Sequence, residues 1–289
     1  MSAIRHFTDK AVDRALIGAP LEDVLRRAFV ALADGRAAQQ PRQRTEAGGV
    51  KLSTLGGVIP ELGVAGAKIY TTIAGRFSFL IALFSTETGD PIATFDANAI
   101  TRWRTAAVSM LAAHAGATSR PAAIAVFGTG VQGLAHVDAF SREFPAAEMR
   151  IIDRQATADE RRAALDGASI VITATRSPTP LFEGAWVSPG AFVAAVGSSR
   201  PDTRELDDAL LERSAHVIVE WREQTLREAG DLILAQADVR DRLEIVDLGE
   251  VLAGHAPGRT GEDEIVIFKS VGVGIEDIAV AALAYRLLA

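Results

Sequence analysis

An α/β fold in two domains is what the sequence predicts, and three observations predict it. Residues 123–127 form an unbroken apolar run that ends in Gly128, Gly130 and Gly133, with an amphipathic segment directly behind. A strand, a tight turn and a helix start in that order are the frame of a Rossmann-like dinucleotide site. A second strand-like run, residues 149–152, ends in Asp153, 20 residues beyond Gly133, where such a domain places the acid that meets a ribose. Residues 39–83, by contrast, are rich in Gly, Thr and β-branched side chains that alternate with period two, the texture of hairpin-connected strands. The expected organisation is an α+β domain of residues 1–118 with 270–289, and a Rossmann-like domain of residues 119–269 that counts one β-unit short.

Composition narrows the function classes. At 289 residues, with 48% hydrophobic and 23% charged positions, the chain has the balance of a globular protein and room for two domains. It has no cysteine, which removes disulfides, thiolate metal sites and a cysteine nucleophile, and suits a reducing compartment. A net charge of −7, dispersed along the chain, points away from nucleic acid and anionic membrane as partners. An anionic substrate therefore needs local cations. Residues 1–18 carry Arg5, Asp9, Lys10, Asp13 and Arg14 and lack the apolar core of a signal peptide, and no apolar run reaches the ~18 residues of a membrane span. A cytoplasmic protein is expected. No His, Asp and Glu spacing resembles a metal site, so no metal is expected.

From the N-terminus, residues 9–17 and 21–35 carry apolar side chains at helical spacing, with Gly35 placed to end the second helix. Strands joined by glycine turns follow to residue 83, Thr88-Gly-Asp-Pro is a hairpin-type turn, and residues 91–96 make a short return strand. Three cations stand out in this half: Arg44, Lys68 and Arg104. Lys68 interrupts an apolar alternating run, where a charge needs a partner or ligand to offset its burial; the polar face of an edge strand would serve it equally. Arg42 shares the parity of Arg44 and would point the same way from an extended strand. Residues 101–115 read as a helix, nearly uncharged from Thr105 to Ala113 and hence buried. Arg104 lies near its start, where a guanidinium fork and free helix N–H groups suit a carboxylate or phosphate. Trp103 beside it serves either packing or a pocket wall. Pro121 marks the boundary.

In the second domain Gly128 makes the turn, Gly130 lets the backbone approach phosphates, and Gly133 lets helix and strand pack closely, while the helix N-terminus presents N–H groups to an anion. A helix over 131–144, a buried strand over 149–153, a helix over 157–165, and strands over 169–174, 191–197, 216–220 and 265–268 continue the pattern. One strand–helix unit is missing between Asp153 and Ser169. Asp153 favours NAD, whereas Arg154 next to it could grip a 2′-phosphate, so NAD and NADP both stay open. His136 reads as an ordinary helix residue, and Ser198 and Ser199 as loop residues over the cofactor. A last apolar helix, 276–288, returns to the first domain.

An ordered set of motifs adds to this: Thr101-Arg-Trp-Arg-Thr-Ala-Ala-Val-Ser, Val126-Phe-Gly-Thr-Gly-Val-Gln-Gly, Val196-Gly-Ser-Ser-Arg-Pro-Asp-Thr-Arg-Glu-Leu-Asp, Glu228-Ala-Gly-Asp-Leu, and Phe268-Lys-Ser-Val-Gly with Ile275-Glu-Asp-Ile. In these the chain resembles the ornithine cyclodeaminase and mu-crystallin family. The resemblance implies an N-terminal substrate and dimerisation domain completed by the C-terminal helix, and a homodimer. It implies that Arg44 and Arg104 hold a substrate carboxylate, with Arg42 competing for the role of Arg44, and that Lys68 lies at the reacting carbon–nitrogen centre. The expected cofactor contacts are Thr105, Gly128, Gly130, Val131, Gln132, Gly133, Asp153, Arg154, Thr175, Val196, Gly197 and Ser198.

The departure from the family pattern is the more telling feature. Cyclodeaminases of the family place an aspartate before the proline of the Val-Gly-x-x-x-Pro loop; counted back from Pro201, this chain has Ser199 there. A hydroxyl cannot replace that carboxylate as a base. The loop is similar to that of the ketimine-reducing, mu-crystallin-like branch. The expected activity is hydride transfer from NADH or NADPH to the C=N carbon of an α-imino acid, such as Δ1-pyrroline-2-carboxylate or Δ1-piperideine-2-carboxylate. Lys68 would orient substrate or relay a proton, its pKa depressed by neighbouring arginines. The alternatives are an L-alanine-type amino acid dehydrogenase or reductive aminase, an ornithine cyclodeaminase, and a non-catalytic small-molecule binder that keeps its nucleotide.

Overall fold

The computed structural model describes residues 4–118 and 120–289. Residue 119, where the second domain is expected to start, and the first three residues of the segment read for a leader lie outside the described residues. The elements in chain order are β1 (Arg5–Phe7), α1 (Asp9–Leu16), α2 (Leu21–Ala33), β2 (Ala38–Ala47), β3 (Val50–Ile59), β4 (Val64–Ile73), β5 (Arg76–Ser85), β6 (Pro91–Asp96), α3 (Asn98–Gly116), β7 (Ala123–Phe127), α4 (Val131–Glu143), β8 (Glu148–Ile152), α5 (Ala158–Leu165), β9 (Ile170–Thr173), β10 (Phe192–Ala195), α6 (Asp208–Arg213), β11 (Ser214–Val219), α7 (Arg222–Glu228), α8 (Gly230–Ile233), α9 (Ala237–Arg240), β12 (Ile245–Asp247), α10 (Leu248–Ala253), β13 (Ile265–Lys269) and α11 (Gly274–Leu288). They gather into two compact units, Met1–Val108 with Val273–Ala289, and Ser109–Gly272.

The first unit is built on a six-stranded sheet in the order β1-β6-β5-β4-β3-β2. Strands β2 to β6 form an antiparallel meander, and β1 adds in parallel to β6. The period-two pattern decides the two faces. Leu55, Ile81 and Leu83 are buried on one side, where α11 packs, with α1 and α2 on the far side of that helix. The fit is close, since a Cβ on Gly274 would come within 2.6 Å of the Gly56 amide nitrogen and carbonyl oxygen. Helix α11 is buried on every side from Gly274 to Ala284, which is why it is apolar all round but for Glu276 and Asp277. Each of Ile275, Ile278 and Val280 gains roughly 1.5–3 kcal/mol on full burial. On the opposite sheet face Val50, Leu52, Val58, Ile69, Ile73, Leu80 and Phe84 all stand exposed.

The second unit holds a seven-stranded sheet in the order β12-β11-β13-β10-β9-β7-β8, with every pair parallel. The chain passes from β8 through α5 straight to β9, on the other side of β7. A full Rossmann half would place another strand outside β8, so the β-unit that the sequence count misses is absent here. One expectation is corrected as a consequence. The strand before Asp153 is not buried but forms the sheet edge, and Ile151 on it is 45% exposed.

Candidate functional site

Lys68 sits on β4, an interior strand, and its side chain is buried beneath α11; the edge-strand reading does not hold. The register explains the position, because Leu55, Lys68 and Ile81 are cross-strand partners and so share the covered face. Its Nζ donates to Thr101 Oγ1 at 2.6 Å and to Asp277 Oδ1 at 3.1 Å, and lies 4.5 Å from the centre of the Phe79 ring. Arg104, in the second turn of α3, places Nη1 2.7 Å from Glu276 Oε2 and Nε 3.6 Å from Asp277 Oδ1. Both carboxylates are fully buried. Two acids inside an otherwise apolar helix are costly unless paired with charge, and these two are.

Burial lowers the Lys68 ammonium from the ordinary lysine range to about 8; Asp277 opposes the shift, and Arg104 and then Arg42 add to it. Desolvation is therefore the larger cause, and repulsion by arginines, the cause expected from sequence, is the smaller. The β2 arginine acting on Lys68 is Arg42, which is half-buried; Arg44 is exposed and pairs with Ser53. A bulge between Gln40 and Gln43 separates the two pairings of that strand. Thr105 is buried in this same unit, its hydroxyl donating to the Thr101 carbonyl at 2.7 Å. Trp103 donates through Nε1 to Asp13 Oδ1 at 3.0 Å, which ties it to α1.

In the second unit a cleft of about 810 Å³ lies at the carboxyl ends of β7, β8 and β9. It brings together Gly128, Gly130, Val131, Gln132, Asp153, Arg154, Thr175, Val196 and Gly197 of the expected cofactor set, with Thr129, Arg161 and Arg176 besides. Gly128 has φ 119°, a value few side chains tolerate, and a Cβ there would strike the Ala174 carbonyl at 2.6 Å. A Cβ on Gly133 would meet the Gly128 oxygen at 1.9 Å, so this glycine lets α4 close on the turn rather than lining the cleft. Gly130, by contrast, faces open space, and α4 begins directly after it with no side-chain cap. An open cradle at an uncapped helix start fits a pyrophosphate. Asp153, with Oδ1 accepting from the Gln155 amide at 2.6 Å, and Arg154 flank the same cleft at the tip of β8. These residues fit NAD or NADP.

Behind the cleft stands a buried carboxylate to which sequence reasoning gave no role. Glu205 accepts from Thr173 Oγ1 at 2.9 Å, from the amide and hydroxyl of Thr175 at 2.7 Å each, from the Gly197 amide at 2.8 Å and from the Ser198 amide at 3.2 Å. Its own amide and that of Leu206 donate to Asp231 Oδ1, and Lys269 Nζ bridges Asp231 Oδ2 at 2.8 Å and the Ala195 carbonyl at 3.1 Å. Burial pushes the Glu205 carboxyl up, against the pull of Lys269 and its hydrogen bonds. The Ser198 side chain turns away from the cleft lining to donate to the Thr203 carbonyl at 2.5 Å, and Ser199 is half-buried on the same loop. His136 is buried between the Gln132 carbonyl, to which Nδ1 donates at 2.7 Å, and the Ser109 hydroxyl, 2.9 Å from Nε2, which is a packing role. Among the described residues no cluster could hold a metal ion, and no helix is long and apolar enough to cross a membrane. The missed residues did leave a signal: Glu276, Asp277 and Lys269 are charges set in otherwise apolar elements.

Comparison with known proteins follows the same lines. A sequence model described as the ornithine cyclodeaminase/mu-crystallin family matches residues 10–165 and 155–288. The ketimine reductase mu-crystallin of Mus musculus is 36% identical over 220 residues, covering 71% of this chain and 68% of that protein. A Δ1-pyrroline-2-carboxylate reductase of Colwellia psychrerythraea is 33% identical over 231 residues, 72% of each chain. Among solved structures, a protein described as a probable ornithine cyclodeaminase of Bordetella pertussis superimposes with a TM-score of 0.94 at 48% identity, over 99% of this chain and 97% of that one.

Proposed function

Because the chain belongs to the ornithine cyclodeaminase/mu-crystallin family, we propose that it is an NAD(P)H-dependent reductase of α-imino acids, acting on cyclic ketimines such as Δ1-pyrroline- or Δ1-piperideine-2-carboxylate. The observation that carries this reading is the buried cation cluster around Lys68, in a chain whose Val-Gly-Ser-Ser-Arg-Pro loop has Ser199 at the place of the cyclodeaminase aspartate. NADH or NADPH, when bound, supplies the hydride. Gly128, Gly130 and the start of α4 would hold its pyrophosphate, and Asp153 with Arg154 would meet the adenine-side ribose. Arg104 and an arginine of β2 bind the substrate carboxylate and so fix the imine carbon, which is catalysis by position. Partial burial and its field at Lys68 support Arg42 over Arg44 for the second place. Lys68 Nζ would carry the proton given to the imine nitrogen. A group titrating near 8 is largely protonated at neutrality yet able to release its proton.

The cyclodeaminase reading draws on the name of the Bordetella relative. It requires a base that Ser199 cannot supply. Ornithine turnover with ammonia release would establish it. Amine- or ammonia-dependent NAD(P)H oxidation would instead indicate an alanine-type dehydrogenase or reductive aminase, and stoichiometric nucleotide binding with no oxidation on any ketimine would indicate a binder. The test of the leading reading is Lys68→Met, expected to lose at least ~100-fold in turnover with nucleotide affinity unchanged; an active variant refutes the proton role. The exposed apolar face of the first unit's sheet supports a homodimer, and the lack of cysteine supports work in the cytoplasm.

A further inference from the structure

We propose that Asp277, a buried acid of the C-terminal helix with no assigned role, is the positioning residue that aims the Lys68 ammonium and sets the pH range over which it can deliver a proton. The inference rests on the reductase reading above for the role of Lys68. It stands on contacts within one unit. Lys68 Nζ is held between Thr101 Oγ1 at 2.6 Å and Asp277 Oδ1 at 3.1 Å, the first half-buried and the second fully buried. Thr101 spends its own proton on the Ala97 carbonyl at 2.6 Å, so its oxygen is committed to accepting from Lys68. Two fixed acceptors and the Phe79 ring at 4.5 Å leave the ammonium little choice of direction.

The charged groups around Lys68 among the described residues include Asp277 and Glu276 from α11, Arg104 from α3 and Arg42 from β2. Glu276 is engaged by Arg104 at 2.7 Å, whereas Asp277 reaches Lys68 directly and Arg104 Nε only at 3.6 Å. Asp277 is therefore the acid that holds the Lys68 proton against desolvation and against two arginines. Arg42, Lys68 and Arg104 together exceed the two acids by one positive charge, which matches a substrate with a single carboxylate.

The sign follows. A lysine active as its ammonium loses activity as pH rises through its pKa, near 8 here. Removing the Asp277 charge drops that pKa further, so the loss on the alkaline side starts at lower pH. The experiment compares wild type, Asp277→Asn and Asp277→Glu by the pH profile of kcat/KM on Δ1-piperideine-2-carboxylate. It adds 13Cε NMR titration of labelled lysine, with the Lys68 signal identified by its loss in Lys68→Met, and NADH and NADPH titration. In Asp277→Asn both midpoints are expected to fall by about one pH unit or more, with nucleotide affinity within about twofold of wild type. Asp277→Glu, which keeps the charge, is expected to hold the midpoint near that of wild type while lowering kcat. A folded Asp277→Asn with its Lys68 midpoint in place overturns the proposal. Should that variant not fold, a Lys68 midpoint in Asp277→Glu displaced by a unit or more overturns it instead. The NMR titration needs no turnover, so an active Lys68→Met would sink the proton role while leaving the Asp277–Lys68 coupling to be judged separately.

Discussion

Replacing Glu205 by Gln separates the nucleotide cleft from the network behind it. The carboxylate accepts five donors, from Thr173, Thr175, Gly197 and Ser198, on two oxygens. An amide retains one oxygen. With that oxygen on the Gly197 side, the amide NH2 faces the Thr175 amide and hydroxyl. The hydroxyl can turn to accept, but the Thr175 N–H is left buried without an acceptor, at a cost of about 1–3 kcal/mol. A second effect runs the other way. The Glu205 pKa is raised by burial, so the group favours the folded state fully below the ordinary glutamate range, and that contribution is lost as pH rises towards the raised pKa. Once ionised, the wild type bears a desolvation cost that the amide does not. The net destabilisation should be about 1–2 kcal/mol, a fall of roughly 2–3 °C in Tm. The gap should narrow as pH rises from ~4.5 upward. Because Thr175 and Gly197 line the cleft, loss of their anchor should weaken nucleotide binding about tenfold, the equivalent of ~1.4 kcal/mol. Thermal melts from pH 5 to 8 and fluorescence titration with NADH and NADPH measure both. A folded variant with unchanged nucleotide affinity would show that the carboxylate shapes the core and not the cleft.

Four other outcomes are expected. Asp153→Ser removes the acid at the tip of β8 and leaves Arg154, so the ratio of NADPH to NADH affinity should rise about tenfold in equilibrium binding. Gly133→Ala drives a methyl into the Gly128 carbonyl, whose oxygen stands 1.9 Å from the place a Cβ would take, and should abolish nucleotide binding at unchanged secondary structure by circular dichroism. Ile69→Glu places a charge in the exposed apolar sheet face and should convert a dimer to a monomer in light scattering; a wild type already monomeric would refute the dimer. Wild-type kcat/KM for ketimine reduction should decline as pH passes about 8, where the Lys68 ammonium is lost.

The legibility of this chain in its sequence follows how local each cause is. Helix α2 stopped by the left-handed Gly35 just past its end, the glycine turn after β7 and the alternation across β3 to β5 all rest on residues near one another in the chain, and they stand where the pattern puts them. The absent strand outside β8 could be counted from spacing alone, but its consequence, an exposed edge, depends on which strand lies beside which. Periodicity does not carry that information. Strands β1 and β12, of three residues each, are too short for any period to show.

In the candidate site the positive half could be read directly, because a lysine in an apolar strand demands an account. Its negative half stands 209 residues away, on α11. Glu276 and Asp277 are explained only when that helix is seen to be buried on all sides, for then two acids within it must have cations to meet. The same holds for Glu205, whose partners are two threonine hydroxyls and three backbone amides that no sequence pattern marks. A charge in an apolar segment is thus half of a pair whose other half the topology supplies. Lys68 and Asp277 are such a pair, and their separation in the chain is the reason nothing beside Lys68 in the sequence points to its acid.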